Sequence, residues 1–306
     1  MLLSGLLVVS SASIANAAPA TLGDVLENAV ASFEEVPQII ILIAYLAGLF
    51  LAVWALIKFK EHVDHPHQVP ISDPVKKFIA GGCFLALPMV LQASLETFWG
   101  VGGVGTFNHD FSAPDDLAAV AAGPADSLDE VAVAFIRNIT GPFGMLLTAF
   151  VYIAGLSFIL IGISRLTKTM QEGPRGPAGV GTLMTFVAGT ALLSYGDAMG
   201  AFATSMFGSD TSLTNVEYTG PLTLGASEDQ VMATIEALMI FIMLVGYIAF
   251  VRGWFVLKAF ADGAQGVSLA QGLTFLFGGA IAANLGNLLN TLEGTFGYAV
   301  LGFTFS

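Results

Sequence analysis

The fold is decided by residues 38–58, QIIILIAYLAGLFLAVWALIK, an apolar run with Gly48 near its centre and its single charge at the last position. A helix of about 20 apolar residues has the length that crosses the hydrocarbon core of a bilayer. Two more runs of this kind, residues 143–164 and 232–252, are centred on Gly155 and Gly246. The sequence therefore predicts an all-α integral membrane protein.

The composition of the 306 residues supports this class, since 55% are hydrophobic, 11% are charged and the mean hydropathy is +0.80. A soluble domain carries about 25% charged residues. A net charge of −13 without a basic cluster argues against direct nucleic-acid binding, which needs Lys and Arg against the phosphates. The single cysteine excludes an intrachain disulfide. No nucleophile–base pair, phosphate loop or dinucleotide fingerprint is present, so we expect neither an enzyme nor a cofactor.

The first residues have the pattern of a signal peptide. An apolar stretch from Leu2 to Ile14 precedes Ala15-Asn16-Ala17, an A-x-A sequence of the kind that signal peptidase cuts. We expect residues 1–17 to be removed and the mature chain to begin on the periplasmic side of a bacterial inner membrane. The alternative is an uncleaved segment at the membrane interface.

A repeat follows each apolar run. The fourth residue of its motif, a glycine, lies 32 to 34 residues after the central glycine, in Phe78-Ile-Ala-Gly-Gly82, Phe186-Val-Ala-Gly-Thr190 and Phe275-Leu-Phe-Gly-Gly279. Self-similarity of this kind indicates tandem structural units. The sequence predicts six transmembrane helices in three parallel two-helix hairpins, whose second helices cover about 78–98, 183–205 and 271–293. The units are residues 18–100, 101–208 and 209–306, of which the second and third each begin with an acidic outer connector.

The basic residues predict the orientation. Nine of the ten Lys and Arg lie between the two helices of a hairpin. These residues are Lys58, Lys60, Lys76, Lys77, Arg165, Lys168, Arg175, Arg252 and Lys258. Because basic loops stay in the cytoplasm, both termini and the connectors are expected in the periplasm.

Amphipathic helices at the outer interface are predicted before the hairpins. The helix-start patterns are Thr21-x-x-Asp24, Ser127-x-x-Glu130 and Ser227-x-x-Gln230. We expect Pro37 and Gly141-Pro142 to separate the first two amphipathic helices from their spans, whereas the third runs directly into the membrane.

Small residues in the second helices indicate helix packing, because they let helices approach closely in lipid. The candidates are Gly81, Gly82, Gly189, Gly196, Gly200, Gly278, Gly279 and Gly286. We place these helices at protein–protein contacts and the first helices against lipid.

Two polar features are candidate functional groups. Asp197 is the deepest acid of a predicted span, and it is either a transport or assembly group or a satisfied interfacial carboxylate. His62-x-x-His65-x-His67 has ligand types suited to Zn²⁺ or Ni²⁺. Because Pro66 and Pro70 make this segment extended, a solvated cytoplasmic loop is the favoured interpretation, and we predict no metal site.

The first hairpin resembles a known family over the run from Ala44 to Leu87. Its loop has the form K-x-K-x-H-x-D-x-P, followed by F-x-A-G-G and a proline. The matching residues are Lys58, Lys60, His62, Asp64, Pro66, Phe78, Ala80, Gly81, Gly82 and Pro88. This pattern is similar to the small two-span inner-membrane proteins of type IVB secretion and conjugation systems, the Dot/Icm family and its plasmid transfer relatives. Members are generally single hairpins, so the triplication is a departure that leaves the stoichiometry open.

The resemblance implies a structural component of a type IV secretion or conjugation apparatus, either a scaffold or a subunit like the hairpins of conjugative pilins. The expected partners are membrane lipids and other membrane proteins of that apparatus, in a large complex or a homo-oligomer. The alternative is a small channel or transporter with its path along a pseudo-threefold axis.

Overall fold

The computed structural model describes residues 22–33, 35–99, 128–168, 175–176, 179–208, 216–218, 228–296 and 303–305. The predicted signal peptide and most of both outer connectors lie outside these residues. The elements are α1 (Leu22–Phe33), α2 (Val36–Asp64), α3 (Ser72–Leu85), α4 (Leu87–Trp99), α5 (Leu128–Arg165), α6 (Val180–Leu193), α7 (Tyr195–Phe207), β1 (Val216–Tyr218), α8 (Glu228–Ala261), α9 (Leu269–Ala283), α10 (Leu285–Phe296) and β2 (Phe303–Phe305).

The described chain contains one succession of helices three times. A long helix of 29, 38 or 34 residues is followed by a helix of 14 or 15 residues and then by one of 12 or 13. We call these triplets repeat 1 (α2–α4), repeat 2 (α5–α7) and repeat 3 (α8–α10). They fall in the three segments where the sequence predicts hairpins.

The long apolar helices are those of a multi-pass membrane protein. Among the described residues, Gly23–Asp64, Ala134–Arg165 and Thr234–Ala261 are long and apolar enough to cross a bilayer. The number rises to five if each of two bent pairs, α3 with α4 and α9 with α10, is one span. Six continuous spans are not reproduced, because the second helix of every hairpin is interrupted.

The interruptions fall at Ala86, Ser194 and Asn284, which share one backbone conformation with φ from −97° to −117° and ψ from 25° to 47°. The helices that flank the break meet at 87° in repeat 1 and at 80° in repeat 3. In repeat 1, Pro88 follows the break and lacks the N–H that a continuous helix would need.

A different chemistry ends the helix in the other two repeats. The hydroxyl of Ser194 donates to the carbonyl of Thr190, and the side-chain amide of Asn284 donates to the carbonyl of Ala280. Each of these carbonyls also accepts the backbone N–H of the same residue, so the side chain adds a second bond to it at the helix end. The six-span prediction rested on apolar runs and a repeated motif, and neither of these registers a local break.

The predicted helix starts are confirmed, since α1, α5 and α8 begin at Leu22, Leu128 and Glu228. Helix α2 begins at Val36 with Pro37 in its first turn, but Gly23–Asp64 is one candidate span of 42 residues, so the predicted separation at Pro37 is not confirmed. The predicted break at Gly141-Pro142 is wrong. Helix α5 continues through Pro142, so its amphipathic start and its apolar part form one helix of 38 residues.

The repeats form a row with repeat 2 in the middle. Helices α2 and α3 contact α5, and α4 contacts α6; in the same way α5 and α6 contact α8, and α7 contacts α9. One apolar cluster joins repeats 1 and 2 and another joins repeats 2 and 3. Helix α1 packs on α5 through Val30 and Ala149. The clusters formed by the described residues therefore all include repeat 2.

Two short strands connect distant segments. β1 pairs with β2 in antiparallel register, with Val216 opposite Phe305 and Tyr218 opposite Phe303. This pairing brings the segment between repeats 2 and 3 beside the last described residues.

Candidate functional site

In each repeat, the first two helices make a close backbone contact at two glycines that face each other. The pairs are Gly48 with Gly81, Gly155 with Gly189, and Gly246 with Gly279. A Cβ atom on either Gly246 or Gly279 would lie 2.7 Å from the carbonyl oxygen of the other. The corresponding distances are 2.8 to 3.1 Å in the other two pairs. Only glycine permits this approach of the two backbones, which maximises packing where lipid supplies no hydrophobic driving force.

The pairs define the register of the repeats more exactly than the sequence motif does. Alignment on the motif places Gly278 beside Gly81 and Gly189, but the close contact in repeat 3 is made by Gly279. Counted from the break, the paired glycine stands five residues earlier in every repeat.

The other candidate glycines lie differently. Gly82, Gly196 and Gly278 are exposed, and a Cβ on any of them would meet no atom within 4 Å. Gly286 is buried and Gly200 is half-buried. Of the predicted packing glycines, Gly81, Gly189 and Gly279 lie at close helix contacts within one chain, whereas Gly82, Gly196 and Gly278 face outward.

Asp197 lies three residues after the break at Ser194, in the first turn of α7, and it is exposed. A carboxylate in this position interacts favourably with the positive end of the helix dipole. The break therefore places Asp197 at a helix start instead of midway along a continuous span.

A cluster of largely buried charges lies between repeats 2 and 3. Arg165, the last residue of α5, binds Asp262 through two parallel bonds, Nη1 to Oδ1 at 2.6 Å and Nη2 to Oδ2 at 2.8 Å. Both side chains are only 7% exposed. Lys258, on the last turn of α8, adds a bond of 2.9 Å to Oδ2 of Asp262.

The same guanidinium reaches the second helix of its own repeat. Arg165 donates to the carbonyl of Gly181 at 3.0 Å and to the hydroxyl of Thr185 at 2.8 Å. It therefore connects α5, α6 and the turn after α8. Bidentate, charge-assisted bonds are among the strongest and most directional that a protein makes.

The surroundings of Asp262 explain its charge state. Burial alone would raise the pKa of this carboxyl, but the hydrogen bonds and the positive charges of Arg165 and Lys258 outweigh burial and hold the pKa below its ordinary value. Asp262 is therefore a stable carboxylate that joins two cations. It is not poised to exchange protons near neutral pH.

The remaining basic loop residues lie outside this cluster. Lys77 pairs with Asp73 at 3.4 Å and also lies 5.0 Å from the centre of the Trp54 ring, while Arg252 covers the ring of Phe275 at 4.7 Å. Lys58 pairs with Glu61 one turn away. Lys60 and Arg175 are exposed, and Lys76 and Lys168 are half-buried.

The histidine motif lies at the end of α2 and in the turn after it. Nδ1 of His62 is 2.6 Å from the carbonyl oxygen of Val69, so this side chain closes the turn. Within the described ranges, no three His, Cys, Asp or Glu side chains are grouped as a metal site would require.

A wholly apolar groove of about 550 Å³ lies between α1 and α5. Its walls are Phe33, Phe143, Leu146, Leu147, Phe150, Ile153 and Ala154. Without polar groups to orient a substrate, this groove suits a hydrocarbon chain better than a polar ligand.

Sequence reasoning identified Arg165 and Lys258 as loop cations but missed Asp262, which lies 97 residues from Arg165. The available signal was the spacing of Lys258 and Asp262 at i and i+4, which brings side chains together near a helix end. Comparison with protein-family models, with curated proteins and with solved structures found no significant match.

Proposed function

We propose that the chain is a structural inner-membrane component of a type IV secretion or conjugative transfer apparatus, acting as a scaffold or a pilin-like subunit. The observation that carries the proposal is that the paired glycines and the buried charges all make contacts between helices. Paired glycines join helix to helix, and the Arg165–Asp262–Lys258 cluster joins repeat to repeat. The resemblance of the first hairpin to type IVB components is the reason for proposing this apparatus.

In this proposal each repeat is a two-pass hairpin with its basic loop in the cytoplasm and both chain ends in the periplasm. The short helices α3, α6 and α9 would each rise about 21–23 Å at 1.5 Å per residue. That is less than the ~30 Å hydrocarbon thickness. The breaks then lie in the outer half of the membrane, and the helices after them run close to its periplasmic surface.

The rival function is a channel or transporter on a pseudo-threefold axis. Such an axis needs the three repeats to pack on one another equally, but within the described ranges repeats 1 and 3 each pack chiefly on repeat 2. Asp197, its candidate functional group, is exposed at the start of α7. This arrangement favours the structural role.

The test is affinity purification of the tagged chain from native membranes in mild detergent, with mass spectrometry of the co-purifying proteins. We expect secretion ATPases or core-complex proteins in a large assembly. An unrelated inner-membrane protein with the same tag is the control for nonspecific capture.

Recovery of the chain without any secretion protein would contradict its proposed place in such an apparatus. Flux measurements on the purified chain in vesicles, with Asp197→Asn beside the unchanged chain, then test the channel or transporter function. Flux that depends on Asp197 would establish transport and end the structural proposal.

A further inference from the structure

The three repeats can be matched residue by residue, since each has the same glycine pair and the same break. Counting from the paired glycine of the first helix, Leu49 of repeat 1 corresponds to Leu156 and Tyr247. Leu56 corresponds in the same way to Ile163 and Trp254. We call the side of the first helix that bears these two positions the front face.

The front face is buried in two repeats and open in one. Leu156 and Ile163 are fully buried, in a cluster with Phe84 and Leu91 of repeat 1. Tyr247 and Trp254 are 4% and 5% exposed, in a cluster with residues of repeat 2. In repeat 1, Leu49 and Leu56 are 57% and 60% exposed.

We call a second side of each repeat the back face, and it is buried in repeats 1 and 2 but more exposed in repeat 3. It comprises four positions around the break, which are Ala80, Phe84, Leu87 and Leu91 in repeat 1, Ala188, Leu192, Tyr195 and Met199 in repeat 2, and Gly278, Ala282, Leu285 and Leu289 in repeat 3. All eight residues of repeats 1 and 2 are buried, each within the cluster that contains the front face of the next repeat. In repeat 3, Gly278 is exposed and the other three are half-buried.

Other positions show that burial follows the face and not the helix as a whole. Ile43, Phe150 and Phe241 occupy one matched position on the first helices and are 58%, 56% and 51% exposed. This position is exposed in every repeat. The front face differs, because repeats 2 and 3 cover it with protein and repeat 1 alone leaves it open.

We infer that the chain self-associates head to tail, with the front face of repeat 1 docked on the back face of repeat 3 of a second copy. This contact continues the interface that already joins repeats 1 and 2 and repeats 2 and 3. An interface between two different faces propagates into a ring or a filament. The small residues Gly278 and Ala282 leave room for close approach of the neighbouring helix. The inference holds whichever machine contains the chain.

The internal interface predicts which residues meet. The rings of Tyr195 and Tyr247 are 5.9 Å apart across the boundary of repeats 2 and 3. Their counterparts at the free ends are Leu285 and Leu49. In a background that carries Cys83→Ser, we expect a chain with Leu49→Cys and Leu285→Cys to form a covalent ladder of dimers, trimers and larger species when native membranes are oxidised.

The controls separate a head-to-tail contact from other arrangements. Differently tagged chains with one cysteine each, at Leu49 or at Leu285, should give only a mixed dimer. The pair Ile43→Cys with Leu285→Cys should give no ladder. A like-with-like dimer through Leu49, or a cross-link within one chain, would overturn the inference.

A second measurement does not depend on cross-linking. Gly278→Trp changes an exposed position at which a Cβ would meet no atom within 4 Å in the single chain, and the added ring obstructs the back face. Its control is Leu273→Trp, since Leu273, Leu183 and Val75 are matched positions that are exposed in every repeat. In lipid nanodiscs, Gly278→Trp should lose the species above monomer mass and Leu273→Trp should keep them. An unchanged chain that is monomeric in nanodiscs would equally overturn the inference.

Discussion

Removing the carboxylate of Asp262 should separate repeats 2 and 3 at their loop end. Asp262→Asn keeps the size of the side chain but leaves the guanidinium of Arg165, 7% exposed, without its ionic partner. Truncating one partner of a buried ion pair costs about 3–5 kcal/mol, because the other charge stays desolvated. We therefore expect the free energy of unfolding to fall by that order.

The assay is unfolding by titration with a denaturing detergent, followed by circular dichroism of the helices. The matched control is Asp73→Asn, since Asp73 pairs with Lys77 at 3.4 Å but its side chain is 39% exposed. An exposed pair contributes about 0–1 kcal/mol, so this variant should stay close to the unchanged chain.

A double-mutant cycle identifies the cause. If Arg165 and Asp262 act on each other, Arg165→Met should cost less in the Asp262→Asn chain than in the unchanged chain, by about 0.5–3 kcal/mol. Equal losses for Asp262→Asn and Asp73→Asn, or strictly additive effects of the two changes, would refute the reasoning.

Three further predictions follow from the same contacts. Burial raises the pKa of Asp262, but Arg165 and Lys258 lower it by more, so the folded-state pKa lies below the unfolded value. The stabilisation from Asp262 should therefore be complete above about pH 4 and decline as the pH falls below that. Asp262→Asn should give a flatter profile in the same titration. Gly279→Ala should lower the free energy of unfolding by about 1–3 kcal/mol, because the new Cβ would lie 2.5 Å from the backbone nitrogen of Phe250. The control Gly82→Ala, whose Cβ would meet no atom within 4 Å, should stay within ~0.5 kcal/mol of the unchanged chain. Equal effects of the two changes would contradict the glycine pairing. A cysteine replacing the exposed Lys60, with Cys83→Ser, should react with a membrane-impermeant maleimide only after the cells are lysed, and labelling from the periplasm would reverse the proposed orientation.

The boundaries of the elements show where sequence reasoning reached its limit. The helix starts after Thr21, Ser127 and Ser227 were predicted correctly because capping patterns are local. The breaks at Ala86, Ser194 and Asn284 were missed, since three different residues produce one backbone conformation. Pro142 was misread as a break because its missing N–H is tolerated inside α5.

The sequence by itself determined that this is a helical membrane protein with three related segments and basic loops. The bilayer imposes the length, hydropathy and charge asymmetry of such segments, and each of these properties is local in the chain. Only the tertiary structure decided that Arg165 meets Asp262 across 97 residues. It also decided which faces of matched helices are covered. Burial depends on the neighbour that packs against a residue, and the periodicity of one helix does not indicate which neighbour that is.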